Sequence, residues 1–169
     1  HKNLFLCGAP GLGKTFLSAC IARVVSEKGY SVVYDTASNV FARFEARKFI
    51  RFGEDARQAG ADTRRYLTCD LLILDDLGSE LTTQFPQSAL YELVNTRLVA
   101  GRNTVISSNL SLDEIHRRYQ PMIASRLEGE YRELTPAELS AIRGYMNKAV
   151  NRRQNAEGEK AAAERGSRP

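Results

Sequence analysis

The chain has 169 residues, 43% hydrophobic and 26% charged, a composition that fits one globular domain with a sizeable core. No apolar run approaches the roughly 20 residues of a membrane span and no basic-then-apolar signal opens the chain, so a protein with no membrane association, in the cytoplasm, is expected. The net charge of +4 sits at the end: from Arg143 onward seven Lys/Arg face three Glu, so residues 1–142 balance, and a tail of that kind reads as a solubilising end before it reads as a nucleic-acid arm.

The chain opens on His1 with a strand pattern almost at once, so an upstream part is expected to be missing. Residues 3–7 form that short apolar run. Gly8, Ala9, Pro10, Gly11, Leu12, Gly13, Lys14 and Thr15 follow, and they match G-x-x-x-x-G-K-T. The pattern needs residues without bulk, so that backbone N–H groups can curl around a β-phosphate while the Lys reaches the β and γ oxygens and the Thr hydroxyl binds Mg²⁺. From Phe16 to residue 28 the spacing is helical, with Leu17, Ile21, Val24 and Val25 on one face and Gly29 as a stop. Strand, glycine loop and helix N-terminus together form an anion site. Gly8 to Phe16 are therefore the expected nucleotide-binding residues.

A second strand is expected over 31–35 and a helix over 37–52. That helix interleaves Phe41, Phe44, Phe49 and Phe52 with Arg43, Arg47, Lys48 and Arg51. Either it buries its Phe stripe and leaves solvated charges outside, or its basic face tracks a phosphate backbone; the two are compatible. Residues 54–66 read as a short polar helix or loop. Residues 69–74 are a near-continuous apolar run, typical of a parallel strand covered on both faces, and end in Asp75 and Asp76. Carboxylates there face the ligand crevice of an open α/β sheet. Two adjacent Asp can also simply close a strand in a turn. The glycine loop upstream favours a nucleotide role, with Asp75 holding Mg²⁺ through its water shell and Asp76 orienting or deprotonating the attacking water.

Pro86 is placed to start a helix that runs to a Gly101 stop. Residues 103–109 form a fourth strand with a polar tip at Ser107, Ser108 and Asn109. Asn109 either turns the chain or hydrogen-bonds a γ-phosphate or its lytic water. Ser111 with Glu114 is a capping box for a short helix, residues 121–129 give another, and 131–134 a fifth strand. Thr135, Pro136 and Glu138 start a closing helix to about residue 153, and 154–169 read as a disordered tail. Alternating strands and helices make the fold α/β with a parallel sheet. Cys7, Cys20 and Cys69 are widely spaced and lack C-x-x-C, as befits reduced thiols.

The segments "FLCGAPGLGKTFLSACIA", "DLLILDDLGSELTTQFPQSALYELVNTRLVAGRNTVISSNLSLDEI" and "MIASRLEGEYREL" together resemble the AAA+ ATPase domain of bacterial helicase loaders of the DnaC/DnaI type and the related IstB-like ATP-binding proteins. The resemblance covers residues 1–134, leaving 135–153 as a C-terminal helix and 154–169 as the tail. It implies a P-loop NTPase with a five-stranded sheet whose sensor strand lies between the P-loop strand and the strand carrying Asp75 and Asp76. It also implies Mg²⁺-dependent ATP hydrolysis between self-associated subunits, single-stranded DNA binding, and delivery of the replicative helicase, or service to a transposase in the IstB-like case. On this resemblance Asn109 is the first sensor and Arg126 the arginine finger, with Arg117, Arg118 and Arg132 as weaker candidates. Asp76 stands where many AAA+ proteins carry Glu. No lid domain is recognisable, so no second sensor is assigned, although Arg143 is a candidate. A small-molecule P-loop kinase would need residues 53–66 as a lid. A GTPase would need an Asp that the sequence after Asn147 and Lys148 lacks, and a module that holds ATP without turnover sits poorly with Lys14, Asp75 and Asp76 all present.

Overall fold

The computed structural model describes residues 3–50, 54–80, 83–145 and 147–148. Five strands, β1 (Asn3–Cys7), β2 (Val32–Thr36), β3 (Leu71–Leu77), β4 (Asn103–Ser108) and β5 (Tyr131–Leu134), form one sheet in the order β2-β3-β4-β1-β5. Every pairing is parallel. The α/β fold is as expected, and β4 lies between β1 and β3 as the resemblance implies.

Alternation within the strands divides the core. Leu72, Leu74, Phe5 and Ile106 face α2 (Ala37–Phe49), α4 (Gln84–Val99), α5 (Leu112–Arg118) and α6 (Pro121–Glu130), where Phe41, Phe44, Leu90, Leu93, Ile115 and Ile123 complete the larger cluster. Leu6, Leu71, Ile73 and Val105 face α1 (Lys14–Glu27) and a closing helix, α7 (136–145), through Leu17, Ile21 and Leu139. The remaining helix, α3 (Glu54–Thr68), packs on α2 and α4. Each fully buried Leu or Ile contributes about 1.5–3 kcal/mol, so the sheet is held from both sides.

Several boundaries differ from the sequence reading. The helix expected over 37–52 ends at Phe49, with Ile50 extended. Phe41 and Phe44 are buried, but Phe49 is 73% exposed; five residues beyond Phe44 it lies about 140° round the helix from the buried face. Phe52 and Arg51 fall outside the described residues. Residues 54–66 are not loop but most of a regular helix, anchored by buried Thr63 and Tyr66. Helix α4 starts at Gln84 after its N-cap Thr83 rather than at Pro86; a proline in the first turn is tolerated because the N–H it lacks has no intrahelical partner there. β3 begins later and carries both aspartates within it. The end of the closing helix beyond 148 and the expected tail 154–169 lie outside the described residues.

Candidate nucleotide-binding site

The glycine loop joins β1 to α1 at the C-terminal edge of the sheet. Gly8 has φ +122°, and a Cβ there would stand 2.8 Å from Leu12 Cδ1 and 2.9 Å from Pro136 Cγ, so the loop is pressed between its own Leu12 and the first turn of α7. Gly13, the N-cap of α1, has φ +87°. Both positions favour a residue without Cβ. Lys14 follows as the first residue of α1, 8% exposed. Its Nζ donates to Gly8 O at 2.5 Å, Ala9 O at 3.0 Å and Asn109 Oδ1 at 2.9 Å. Burial lowers the pKa of this ammonium, while the nearby Asp76 and Asp75 carboxylates pull it back up.

Asp75, 6% exposed, is held from both neighbouring strands. From β2, Tyr34 donates its hydroxyl to Asp75 Oδ2 at 2.7 Å; from β4, the Ser107 hydroxyl donates to Asp75 Oδ1. Burial, followed by the Asp75 hydrogen bond and charge, raises the Tyr34 pKa, so the phenol remains a donor. Ser107 Oγ also accepts the Asp76 N–H at 3.0 Å. Asp76 has φ +59°, the only positive φ of a non-glycine among the described residues, and sits where the β3–β4 register shifts. Asp is one of the few residue types that tolerate this conformation. The Asn109 amide Nδ2 donates to Asp76 Oδ1 at 3.2 Å. Asn109 thus presents its oxygen to Lys14 and its nitrogen to Asp76, linking the two.

Gly13, Lys14, Asp75, Asp76, Ser107 and Asn109 line one cleft of about 990 Å³, onto which Thr15 and Phe16 also open. The donor set fits a polyphosphate and a divalent cation: a buried ammonium, an exposed Thr hydroxyl, the first-turn amides of α1, which a helix leaves without intrahelical partners, and two carboxylates. Of the residues singled out from the sequence, the loop, Asp75, Asp76 and Asn109 come together. Arg143 joins them from α7, donating to Gly11 O with its stem over Gly13. Arg126 does not line this cleft; it is half-buried on α6 with its guanidinium 5.4 Å from the centre of the Tyr91 ring. Arg118 donates to Glu80 O, and Arg132 pairs with Glu138. On α2, Arg43 pairs with Asp62, Arg47 with Glu92, and Lys48 lies over Phe85. Tyr34 escaped the sequence reading because nothing marks one tyrosine in a strand as facing the carboxylate on the next. Cys7, Cys20 and Cys69 are free thiols. Burial first, then the Glu133 hydrogen bond, pushes the Cys7 pKa up to about 12. Among the described residues no helix is long and apolar enough to cross a membrane.

A parallel sheet with β4 inserted between β1 and β3, a glycine loop under a buried lysine, and carboxylates at the end of β3 define a P-loop nucleotide-binding domain of the AAA+ type. The IstB-like ATP-binding protein family matches residues 1–126, and the chain belongs to that family. It is 30% identical over 124 residues to the replicative helicase loader DnaI of Bacillus subtilis, covering 70% of this chain and 36% of that protein. It is 31% identical over 117 residues to y4pL of Sinorhizobium fredii, named for an insertion-sequence ATP-binding protein, covering 69% and 44%. The chain spans less than half the length of either relative. Replication initiator DnaA bound to AMPPCP and single-stranded DNA shares the fold, with a TM-score of 0.65 at 23% identity over 78% of this chain and 40% of that one.

Proposed function

We propose that this domain binds and hydrolyses ATP with Mg²⁺, and that it serves a DNA replication protein of the helicase-loader type, which binds single-stranded DNA and delivers the replicative helicase in the cytoplasm. The observation that carries the ATPase reading is the Lys14–Asn109–Asp76 chain of hydrogen bonds across the cleft: a phosphate-binding cation and a candidate base are tied to one sensor side chain. Lys14 would exchange its carbonyl partners for β and γ oxygens. Asp76 is placed to orient or deprotonate a water. Thr15 and, through water, Asp75 would hold Mg²⁺, which neutralises charge on the phosphoryl oxygens. Arg126 would stabilise that charge in a neighbouring subunit; that it does not line its own cleft is consistent with a role in trans. Phe16 and the glycine loop would contact the nucleotide.

Membership of the family and the DnaI likeness support the loader role. The y4pL likeness favours a second reading on the same core, an ATPase serving a transposase. The kinase alternative loses its lid, since α3 packs on α2 and α4 with Tyr66 buried. For single-stranded DNA, the α2 face would have to trade Asp62 and Glu92 for phosphates. Such exposed ion pairs contribute about 0–1 kcal/mol each, so the exchange is cheap. Replacing Arg47, Lys48 and Arg51 with Glu should lower DNA affinity and flatten its salt dependence; unchanged affinity and slope would remove DNA from this face.

The deciding experiment is ATP turnover per subunit against protein concentration, with single-stranded DNA present, for wild type, Arg126→Ala, and an equal mixture of Lys14→Ala with Arg126→Ala. A rate that rises with concentration, vanishes in each variant and partly returns in the mixture is the expected result. A concentration-independent rate indifferent to Arg126 would refute an assembling switch.

A further inference from the structure

Asp75 lies on the central strand β3, and each of its carboxylate oxygens receives a hydroxyl from a different flanking strand: Tyr34 of β2 on Oδ2 and Ser107 of β4 on Oδ1. A carboxylate offers about four lone-pair sites. Two are filled from the sides, so the carboxylate is fixed in one rotation and its remaining acceptor capacity is directed by the sheet. Ser107 is tied in further, since its oxygen also accepts the Asp76 N–H. Tyr34 is partly exposed and sits outside the glycine loop, and among the described residues its phenol is the side-chain donor that β2 supplies to the Asp75 carboxylate.

We propose that Tyr34 is a positioning residue that sets the divalent-cation requirement of this site, acting only through Asp75. The proposal rests on the nucleotide-site reading above. A carboxylate that grips an ion through its water shell depends on orientation, because hydrogen bonds to water weaken steeply when misaligned. Groups that orient metal-holding side chains in this way typically change metal affinity by about 10–100-fold when removed. Tyr34 is not among the residues that line the cleft, so its loss should leave nucleotide binding without metal as it was.

The test is equilibrium binding of a fluorescent ATP analogue to the full chain, titrated with MgCl₂ and repeated in EDTA, for wild type, Tyr34→Phe and Ser107→Ala, with the thermal midpoint of each. The phenylalanine variant keeps the ring and removes only the donor. The expected result for Tyr34→Phe is a rise of about tenfold in the Mg²⁺ concentration that gives half the metal-dependent gain in affinity, with unchanged affinity in EDTA and an unchanged midpoint. Ser107→Ala, which loosens Asp75 and Asp76 together, should show at least as large a shift. A Tyr34→Phe curve that superimposes on wild type, or shifts to lower Mg²⁺, overturns the positioning role while leaving the nucleotide site intact. Weaker binding in EDTA also overturns it, because it would put Tyr34 in contact with the nucleotide. A wild type that binds no nucleotide, or binds it without regard to Mg²⁺, overturns the site reading and the positioning role together.

Discussion

Among the described residues two cations are buried, at opposite ends of the sheet, and neither forms an ion pair there. Arg97, fully buried at the N-terminal ends of β3 and β4, donates to Tyr66 O and Cys69 O, to Asn103 O and to Thr104 Oγ1. Lys14, at the C-terminal ends, donates to two loop carbonyls and one amide. Arg97, which also donates to Cys69 Sγ, has more partners, and their nature differs. Every acceptor of Arg97 belongs to a helix end or a strand start that the rest of the core fixes, and the Tyr66 carbonyl lies in the last turn of α3, where the helix dipole favours a cation. The acceptors of Lys14 belong to a glycine loop and to a side chain, beside an open cleft. A buried cation held mainly by backbone carbonyls, with its side-chain acceptors also fixed in the core, is structural, whereas one held by movable groups can exchange them for an anion.

The sharpest way to break this comparison is to remove both cations. Lys14→Ala should reduce ATP turnover by about 100-fold or more, the scale of losing one charge-stabilising donor, with little change in thermal midpoint because a partly desolvated charge leaves with it. Arg97→Met should do the reverse. It strands several buried carbonyls and should destabilise the fold by about 4 kcal/mol, a fall of roughly 8–16 °C in midpoint, while turnover per folded molecule at low temperature is retained. Calorimetry and turnover on the same preparations decide it: if Lys14→Ala unfolds and Arg97→Met does not, the assignment of the two cations is inverted.

A smaller effect is expected at Asp76, which belongs to the same cleft but stores backbone strain. Asn shares the tolerance of Asp for φ +59°, so Asp76→Asn should leave stability within about 0.5 kcal/mol while sharply reducing turnover. Asp76→Glu restores the residue many AAA+ proteins use, yet here it should destabilise by about 1 kcal/mol, because the longer side chain has no local hydrogen bond to offset the left-handed backbone. A Glu variant as stable as wild type and faster would show that the strain does not select Asp.

What the sequence made legible follows from how local the cause is. The glycine loop, Asp75, Asp76 and the order of elements were readable because spacing and periodicity encode them, and Ser111 with Glu114 forms both halves of its capping box. Phe49 was misplaced because a composition stripe ignores the 100° step that carries it off the buried face. Tyr34 and Arg97 were invisible for a different reason. Their meaning depends on register between β2 and β3 and on where α3 ends relative to α4, and neither relation is written within one element. Arg143 lies beyond the stretch that the family matches, and only the docking of α7 brings it to Gly11.

That docking sets the smallest of the predicted effects. Thr135 accepts the Glu138 N–H at 3.4 Å and donates its own N–H to Glu138 Oε2 at 2.9 Å, a capping box at the start of the helix whose Pro136 presses on Gly8 and whose Arg143 reaches Gly11. The Thr135 N–H, and next its hydroxyl, hold the Glu138 carboxyl below the usual glutamate range. The folded pKa is thus below the unfolded one, so the cap's contribution is complete above the ordinary glutamate pKa and is lost as pH falls through the folded value. Thr135→Ala should loosen α7 by about 1 kcal/mol, read as a few-fold loss in nucleotide affinity at pH 7. Glu138→Gln should remove the part of the acid sensitivity of that affinity that the cap causes. If instead nucleotide affinity is indifferent to both substitutions while limited proteolysis shows α7 released, then α7 lies on the glycine loop without supporting it, and the Arg143 contact is one that nucleotide binding does not use.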